Sequence, residues 1–210
     1  MQVSEIFYTI QGEGPSIGKP AIFLRLAGCH LRCVWCDTKY TWKLNSGKKM
    51  SSTEIIEEIK KFPSKHLVIT GGEPLIQQNA LIELLEKLKG YYIEIETSGS
   101  LKSSLDKYVN HYNCSPKLSN SKNKSIKLEK LPVDKTFYKF VVDSEKDIRE
   151  IRSLITKQKL PEENIFLMPQ GTKKREIAQK SKWLAEICKK ENLRLSPRLH
   201  INLWGNKRKV

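Results

Sequence analysis

Three cysteines, Cys29, Cys33 and Cys36, stand at a C-x3-C-x2-C spacing directly after the apolar run A-I-F-L-R-L-A-G at 21–28. A strand-like segment feeding a loop of three thiols constrains this chain more than any other stretch of it. Iron–sulfur clusters are held by Cys thiolates, four of them in the usual four-iron cluster. Three thiolates from one loop leave one iron without a protein ligand, and an open iron can bind a substrate or cofactor. A structural zinc ion is the competing reading, but it asks for four ligands, typically in paired C-x2-C or Cys/His sets. Here His30 lies inside the loop, while Cys114 and Cys188 are far off in sequence and share no second paired spacing. A disulfide framework suits short secreted chains, and residues 1–5, M-Q-V-S-E, carry no secretory signal.

Composition narrows the setting. The 210 residues fall within the size of one domain, and 39% hydrophobic residues suffice for a core at that length. No run approaches the roughly 18–20 apolar residues of a membrane span. Five cysteines, an odd number with three clustered, suit a reducing compartment, so a cytoplasmic location is expected. The net charge of +15 invites nucleic-acid binding. Against it, the lysines at 120–130, 173–190 and 206–209 are dispersed, many with Glu or Asp between them, and no RNA-binding motif with interleaved aromatics occurs. Direct nucleic-acid binding is therefore not the expected primary function, and an anionic small substrate is compatible with the charge.

The chain alternates strand and helix patterns. Strands are expected at 21–26, 66–70, 91–97, 110–114, 137–142 and 164–168, with an edge at 193–195. Helices are expected from a capping box at Ser51 and Glu54 to about Pro63, at 75–89, from Ser144 with Asp147 to about 157, and at 172–190. Such alternation predicts a parallel sheet covered by helices. Six main strands are too few for a closed eight-stranded barrel, so the expected fold is α/β, an incomplete TIM-like (β/α) barrel of about six parallel strands. One domain over 1–210 is expected, with a polar loop near 115–135 in place of one helix.

Active sites of parallel βα folds lie at the C-terminal ends of strands, where the informative residues fall. The run T-G-G-E-P at 70–74 follows the 66–70 strand; its glycines let backbone approach a ligand, and Pro74 suits a first helical position. Alone it would equally be a tight βα turn. S-P-K at 115–117 and M-P-Q-G at 168–171 follow later strands and are positioned to line the same mouth. The segment F-Y-T-I-Q-G-E-G-P at 7–15 is by itself a Gly-Pro turn. Within it, Glu13 can accept two N–H bonds from a pterin- or guanine-like amide edge. Arg25 can clamp a carboxylate bidentately or form a strand salt bridge. Cys188 shares an apolar helical face with Trp183, Leu184 and Ile187 and reads as a small buried hydrophobe.

Taken together, T-I-Q-G-E-G at 9–14, G-C-H-L-R-C-V-W-C-D-T at 28–38, T-G-G-E-P, E-T-S-G at 96–99, S-P-K and M-P-Q-G come in a family's order and span most of the chain. The sequence resembles the 7-carboxy-7-deazaguanine synthases, radical S-adenosylmethionine (SAM) enzymes of queuosine and 7-deazapurine biosynthesis. The resemblance implies an incomplete barrel, one 4Fe-4S cluster, SAM and Mg2+. It implies a lyase reaction in which 6-carboxy-5,6,7,8-tetrahydropterin becomes 7-carboxy-7-deazaguanine with loss of ammonia, through hydrogen abstraction by a 5′-deoxyadenosyl radical and ring contraction. Chemistry is then carried by the cluster and the SAM-derived radical, with no side chain in a catalytic role. Carried over by position, Cys29, Cys33 and Cys36 hold the cluster and Thr38 gives Mg2+ a ligand. Trp35, Cys36, Asp37, Gly72, Ser115, Pro116, Lys117 and Gln170 match SAM positions. Ile10, Gln11, Gly12, Glu13, Arg25 and Thr70 match substrate positions. His200, in the less specific C-terminal segment, faces substrate or serves as a core or dimer contact. Implied partners are an external electron donor such as flavodoxin or ferredoxin and a second copy in a homodimer. The alternatives are a radical SAM activase of glycyl-radical enzymes, which would not explain T-I-Q-G-E-G, and a non-catalytic metal-bearing RNA-binding module.

Overall fold

Alternation along the strands sorts the side chains onto two faces of one sheet. The computed structural model describes residues 1–124 and 127–210. Ser125 and Ile126, in the polar loop expected over 115–135, lie outside the described residues. The strands are β1 (Gln2–Ile10), β2 (Pro20–Leu26), β3 (Lys48–Lys49), β4 (His66–Gly71), β5 (Tyr92–Thr97), β6 (His111–Cys114), β7 (Thr136–Val142), β8 (Ile165–Pro169) and β9 (Arg194–Leu195). They form one open sheet in the order β3-β1-β2-β4-β5-β6-β7-β8-β9. From β2 to β9 every neighbouring pair is parallel, while β1 runs antiparallel to both β2 and β3. The expected six parallel strands are β2, β4, β5, β6, β7 and β8, and β9 is the edge. The partial barrel is thus the observed architecture.

Leu24, Leu67, Ile69, Ile93, Ile95, Tyr112, Phe140 and Leu167 point outward and are buried against the helices. Those helices are α1 (Ser52–Lys60), α2 (Gln78–Lys87), α3 (Glu145–Gln158) and α4 (Lys174–Glu191), which contribute Ile55 and Ile59, Leu81 and Leu84, Ile151 and Ile155, and Leu184 with Cys188. The alternate strand positions face the concave side and are mostly polar or aromatic: Arg25, Thr70, Glu94, Glu96, His111, Asn113 and Lys139, over a floor that includes Phe7 stacked on Phe23. That polar inner face is what a site inside an open barrel requires.

The capping box expected for α1 forms, with Ser51 Oγ accepting the Glu54 N–H and the Glu54 carboxylate accepting the Ser51 N–H. Several elements differ from expectation, among them the two-residue strand β3. No strand is expected before residue 21, and 7–15 reads as a Gly-Pro turn, whereas β1 spans Gln2–Ile10, where Ser4, Glu5 and Thr9 break the apolar pattern. The helix expected from 75 begins as a single 3-10 turn, Pro74–Gln77, whose N-cap Glu73 accepts the Leu75 N–H. A short helix, α5 (Leu199–Trp204), follows β9. Between β6 and β7 the described residues carry single turns, Ser119–Ser121 and Val133–Lys135, and no α-helix, as the polar composition predicts.

Candidate active site

β2 ends at Leu26 and delivers the chain into the cysteine loop, which is pinned at its base by Gly28 N–H to Thr41 O (2.7 Å) and Cys29 N–H to Trp42 O (3.0 Å). The T-G-G-E-P turn packs directly beneath. A Cβ on Gly72 would meet Gly28 O at 2.3 Å and Cys29 Cβ at 2.8 Å, so only glycine allows this approach. Glu73 ties the turns together: its N–H donates to Gly28 O (2.8 Å), and its carboxylate accepts the Thr97 hydroxyl (2.8 Å) and the Ser98 N–H (2.8 Å) of E-T-S-G. The polar loop covers the other side. Asn120 Oδ1 accepts Trp35 Nε1–H at 3.2 Å, Ser121 O accepts the Val34 N–H at 3.1 Å, and Asn123 Nδ2 donates to Cys33 Sγ at 3.1 Å.

The three thiols fit a cluster better than a lone ion. All three line one cavity of about 420 Å³. Among the described residues no three His, Cys, Asp or Glu side chains converge on a single-ion site, whereas cluster ligands each take a different iron. Burial pushes the Cys29 thiol up, a Leu31 backbone hydrogen bond opposes this, and the nearby Glu73, Cys33 and Cys36 push it further. As cluster ligands the three would be thiolates, whose mutual repulsion the iron would offset. Cys114 and Cys188 sit in the outer core instead, and burial raises the Cys114 thiol to about 12.

Every other residue expected at the site lines the same cavity except Pro116, which lines a small neighbouring cleft with Ser98 and Leu118. Lys117 donates to Ser115 O (2.6 Å) and Oγ (2.8 Å) and lies over the Trp35 ring at 5.6 Å. Burial lowers its pKa, and the neighbouring Lys139 adds to that shift. Gln170 is oriented by Lys180 of α4. Thr38 Oγ1 lies 3.6 Å from Cys36 Sγ, at the cavity wall.

Opposite the cysteine loop, the residues of T-I-Q-G-E-G hang from β1. Gln11 is buried, and its side chain donates to Glu94 (2.7 Å) and Glu96 (3.1 Å) and accepts the Glu13 N–H (3.2 Å). Glu96 in turn accepts the Thr70 hydroxyl at 2.9 Å. Arg25 forms the strand salt bridge, pairing through Nε with Glu5 at 3.2 Å, and also lines the cavity. Glu13 sits between Lys139 (2.5 Å) and Arg198 (2.9 Å). Burial alone would raise its pKa, but these two cations hold its carboxyl well below the usual range, so it stays an anionic acceptor. His200 lies against Gly12, and burial lowers its pKa, favouring the neutral imidazole.

Sequence reading missed several cavity residues: Asn113, Lys139, Arg198 and the tail residues 206–210. A lysine in the middle of the apolar strand T-F-Y-K-F-V-V was a usable signal, because such a charge is retained only with a buried partner. Nothing local marks Arg198, whose partners Glu13, Asp37 and Gly171 are distant in sequence.

An open parallel barrel with a three-thiol loop at the end of its first parallel strand defines a radical SAM protein, and the model of the radical SAM superfamily matches residues 24–136. A 7-carboxy-7-deazaguanine synthase of Pyrobaculum aerophilum is 39% identical, covering 99% of this chain and 96% of its own. The one of Hyperthermus butylicus is 37% identical over 96% and 92%. The crystal structure of QueE from Escherichia coli superposes with a TM-score of 0.76 at 30% identity, covering 95% of this chain and 94% of that one. This chain belongs to the 7-carboxy-7-deazaguanine synthase family, a lyase family of the radical SAM superfamily whose cofactors are a 4Fe-4S cluster and SAM.

Proposed function

We propose that this chain converts 6-carboxy-5,6,7,8-tetrahydropterin to 7-carboxy-7-deazaguanine with loss of ammonia. The observation that carries the reading is that the cysteine loop and the Glu13–Arg25–Thr70 set open on one cavity. When bound, the cluster and SAM supply a 5′-deoxyadenosyl radical able to take hydrogen from C6 of the pterin. Cys29, Cys33 and Cys36 would hold the cluster; Trp35, Asp37, Gly72, Ser115, Lys117 and Gln170 would hold SAM. Arg25 offers a forked cation to the substrate carboxylate, and Glu13, kept ionised by Lys139 and Arg198, offers acceptors to its N–H edge. Holding C6 in register matters because positioning governs such transfers.

The same reading includes Mg2+ on the Thr38 hydroxyl. One protein oxygen is sufficient where waters and substrate oxygens complete the shell. It includes a homodimer, a cytoplasmic location and one domain over residues 1–210. The continuous sheet supports the last, and no helix among the described residues is long and apolar enough to cross a membrane. An external carrier, flavodoxin or ferredoxin, would deliver the electron; the +15 charge favours an acidic one.

The test is anaerobic turnover of the reconstituted protein with SAM, reductant, Mg2+ and the tetrahydropterin, read by mass spectrometry. The deazaguanine acid is expected, with SAM recovered. SAM cleavage without any deazapurine would overturn the substrate reading. In the same assay Thr38→Ala should flatten the magnesium titration and Thr38→Ser should retain part of it; an unchanged titration in Thr38→Ala removes that ligand.

A further inference from the structure

Among the described residues, Asn113 is the one side chain for which two buried polar atoms lack a hydrogen-bond partner. Asn113 on β6 is 1% exposed, yet neither its Nδ2 nor its Oδ1 has a hydrogen-bond partner among the described residues. Its neighbours along the same layer are all engaged: Glu96, its register partner on β5, by Gln11 and Thr70, and Lys139 on β7 by Glu13. Asn113 lines the cavity and abuts the T-I-Q-G-E-G loop. The loop lies directly against the amide: a Cβ on Gly14, at φ +67°, would meet Asn113 Nδ2 at 2.5 Å, so a side chain there would displace it. A buried amide left unpaired on both atoms is costly, and its cost is recovered when a ligand pairs with it.

The geometry points to Asn113 as a specificity-determining residue that reads a donor–acceptor edge of the substrate. A carboxamide presents one acceptor beside one donor, and it pairs bidentately with a ring edge offering the reverse. The lactam edge of a pterin, N3–H beside O4, is such an edge. Glu13 cannot duplicate this, because a carboxylate only accepts. The division of labour would be Arg25 at the carboxylate end, and Glu13 and Asn113 at the pyrimidinone end. This assignment rests on the pterin reading given under Proposed function.

The test uses the cluster-reconstituted protein and 6-carboxypterin, the oxidised and fluorescent form of the substrate, which reports binding without turnover. Asn113→Leu removes both hydrogen-bonding atoms at similar volume, and Asn113→Asp removes the donor. Pterin affinity should fall about tenfold or more in both, as expected for lost hydrogen bonds in a buried site. SAM affinity and iron content should stay at wild-type values, which also verifies folding. Ligand-free Asn113→Leu should melt no lower than wild type, because it relieves an unpaired buried amide. An N3-methylated 6-carboxypterin should bind wild type weakly and Asn113→Leu no worse than the unmethylated form does. Equal pterin affinity in wild type and Asn113→Leu overturns the assignment while leaving the functional reading intact, and so does a loss confined to SAM binding. Failure of wild type to bind the pterin at all sinks both.

Discussion

Single atoms decide how closely the cysteine loop and the β4 turn can approach. Gly72 is where this is sharpest, since an added methyl would overlap the Gly28 carbonyl, which is backbone and cannot rotate away. The carbonyl is moreover fixed by the Glu73 N–H at 2.8 Å. Gly72→Ala should push the two loops apart and displace Cys29. Iron and sulfide content after anaerobic reconstitution should fall well below one cluster per chain, and SAM binding should weaken with it. Gly90→Ala is the control, because nothing lies within 4 Å of the methyl it would add, although its φ of +81° adds some backbone strain. Full cluster loading in Gly72→Ala would show that the loops yield and that the close approach is incidental. This residue was legible in the sequence only together with the three-cysteine loop one strand earlier, because alone T-G-G-E-P would equally be a tight βα turn. Asn113 was not, because a single asparagine in H-Y-N-C carries no mark of which face it takes.

At the scale of the strand, β5 shows why the helix-facing side was legible and the concave side was not. Ile93 and Ile95 face the helices and gave the alternation from which the strand was read. Tyr92, Glu94 and Glu96 on the other face look like a solvated edge in sequence, yet Glu94 is fully buried. It accepts from His66 at 3.0 Å and from Gln11 at 2.7 Å, with His111 Nε2 at 3.3 Å. Lys139 was missed for the same reason, and β1 was missed because half of it belongs to this polar interior. Burial would raise the Glu94 pKa, but hydrogen bonds from the two imidazoles prevail and hold it at about 2, against 4.5 for a free side chain. A depressed carboxylate contributes stability that is complete above the unfolded value and is lost as pH falls through the folded one. Acid should therefore erode this contribution between about 4.5 and about 2. Glu94→Gln cannot lose a charge there, so its stability should fall less steeply than wild type over that window. At pH 7 the variant should be less stable, by on the order of 1.5–3 kcal/mol for weakened charge-assisted bonds. Denaturant melts at several pH values measure both effects, and parallel pH curves for the two proteins would remove Glu94 from the account.

At the scale of the molecule, the open barrel must bring its two ends together without strand pairing, and Arg198 does this. The segment after β9 crosses to the loop after β1, with Leu199 N–H donating to Gly12 O at 2.9 Å and the Gly14 N–H donating to Ser196 Oγ at 2.9 Å. Between them Arg198 donates to Glu13 at 2.9 Å, to Asp37 beside the third cysteine, and to the Gly171 carbonyl at the end of β8. One planar guanidinium thus joins the substrate-side loop, the cysteine loop and the last long strand, and its five donors in a fixed fork make that possible. Removing one partner of a buried ion cluster leaves the others unpaired and costs about 3–5 kcal/mol. Arg198→Met should therefore lower the melting temperature, by roughly 2–4 °C per kcal/mol for a chain of this size. Arg198→Lys should recover little, because an ammonium cannot span three acceptors arranged for a fork. Glu13 keeps Lys139 in both variants, so its carboxylate stays charged but loses its second anchor. Pterin affinity should then fall together with cluster retention, since the two loops are no longer held to one another. A structural residue elsewhere in the core would lower melting temperature without that pairing of losses. Arg198→Met with wild-type melting temperature, cluster content and pterin affinity would mean that the barrel ends are held by the backbone hydrogen bonds alone.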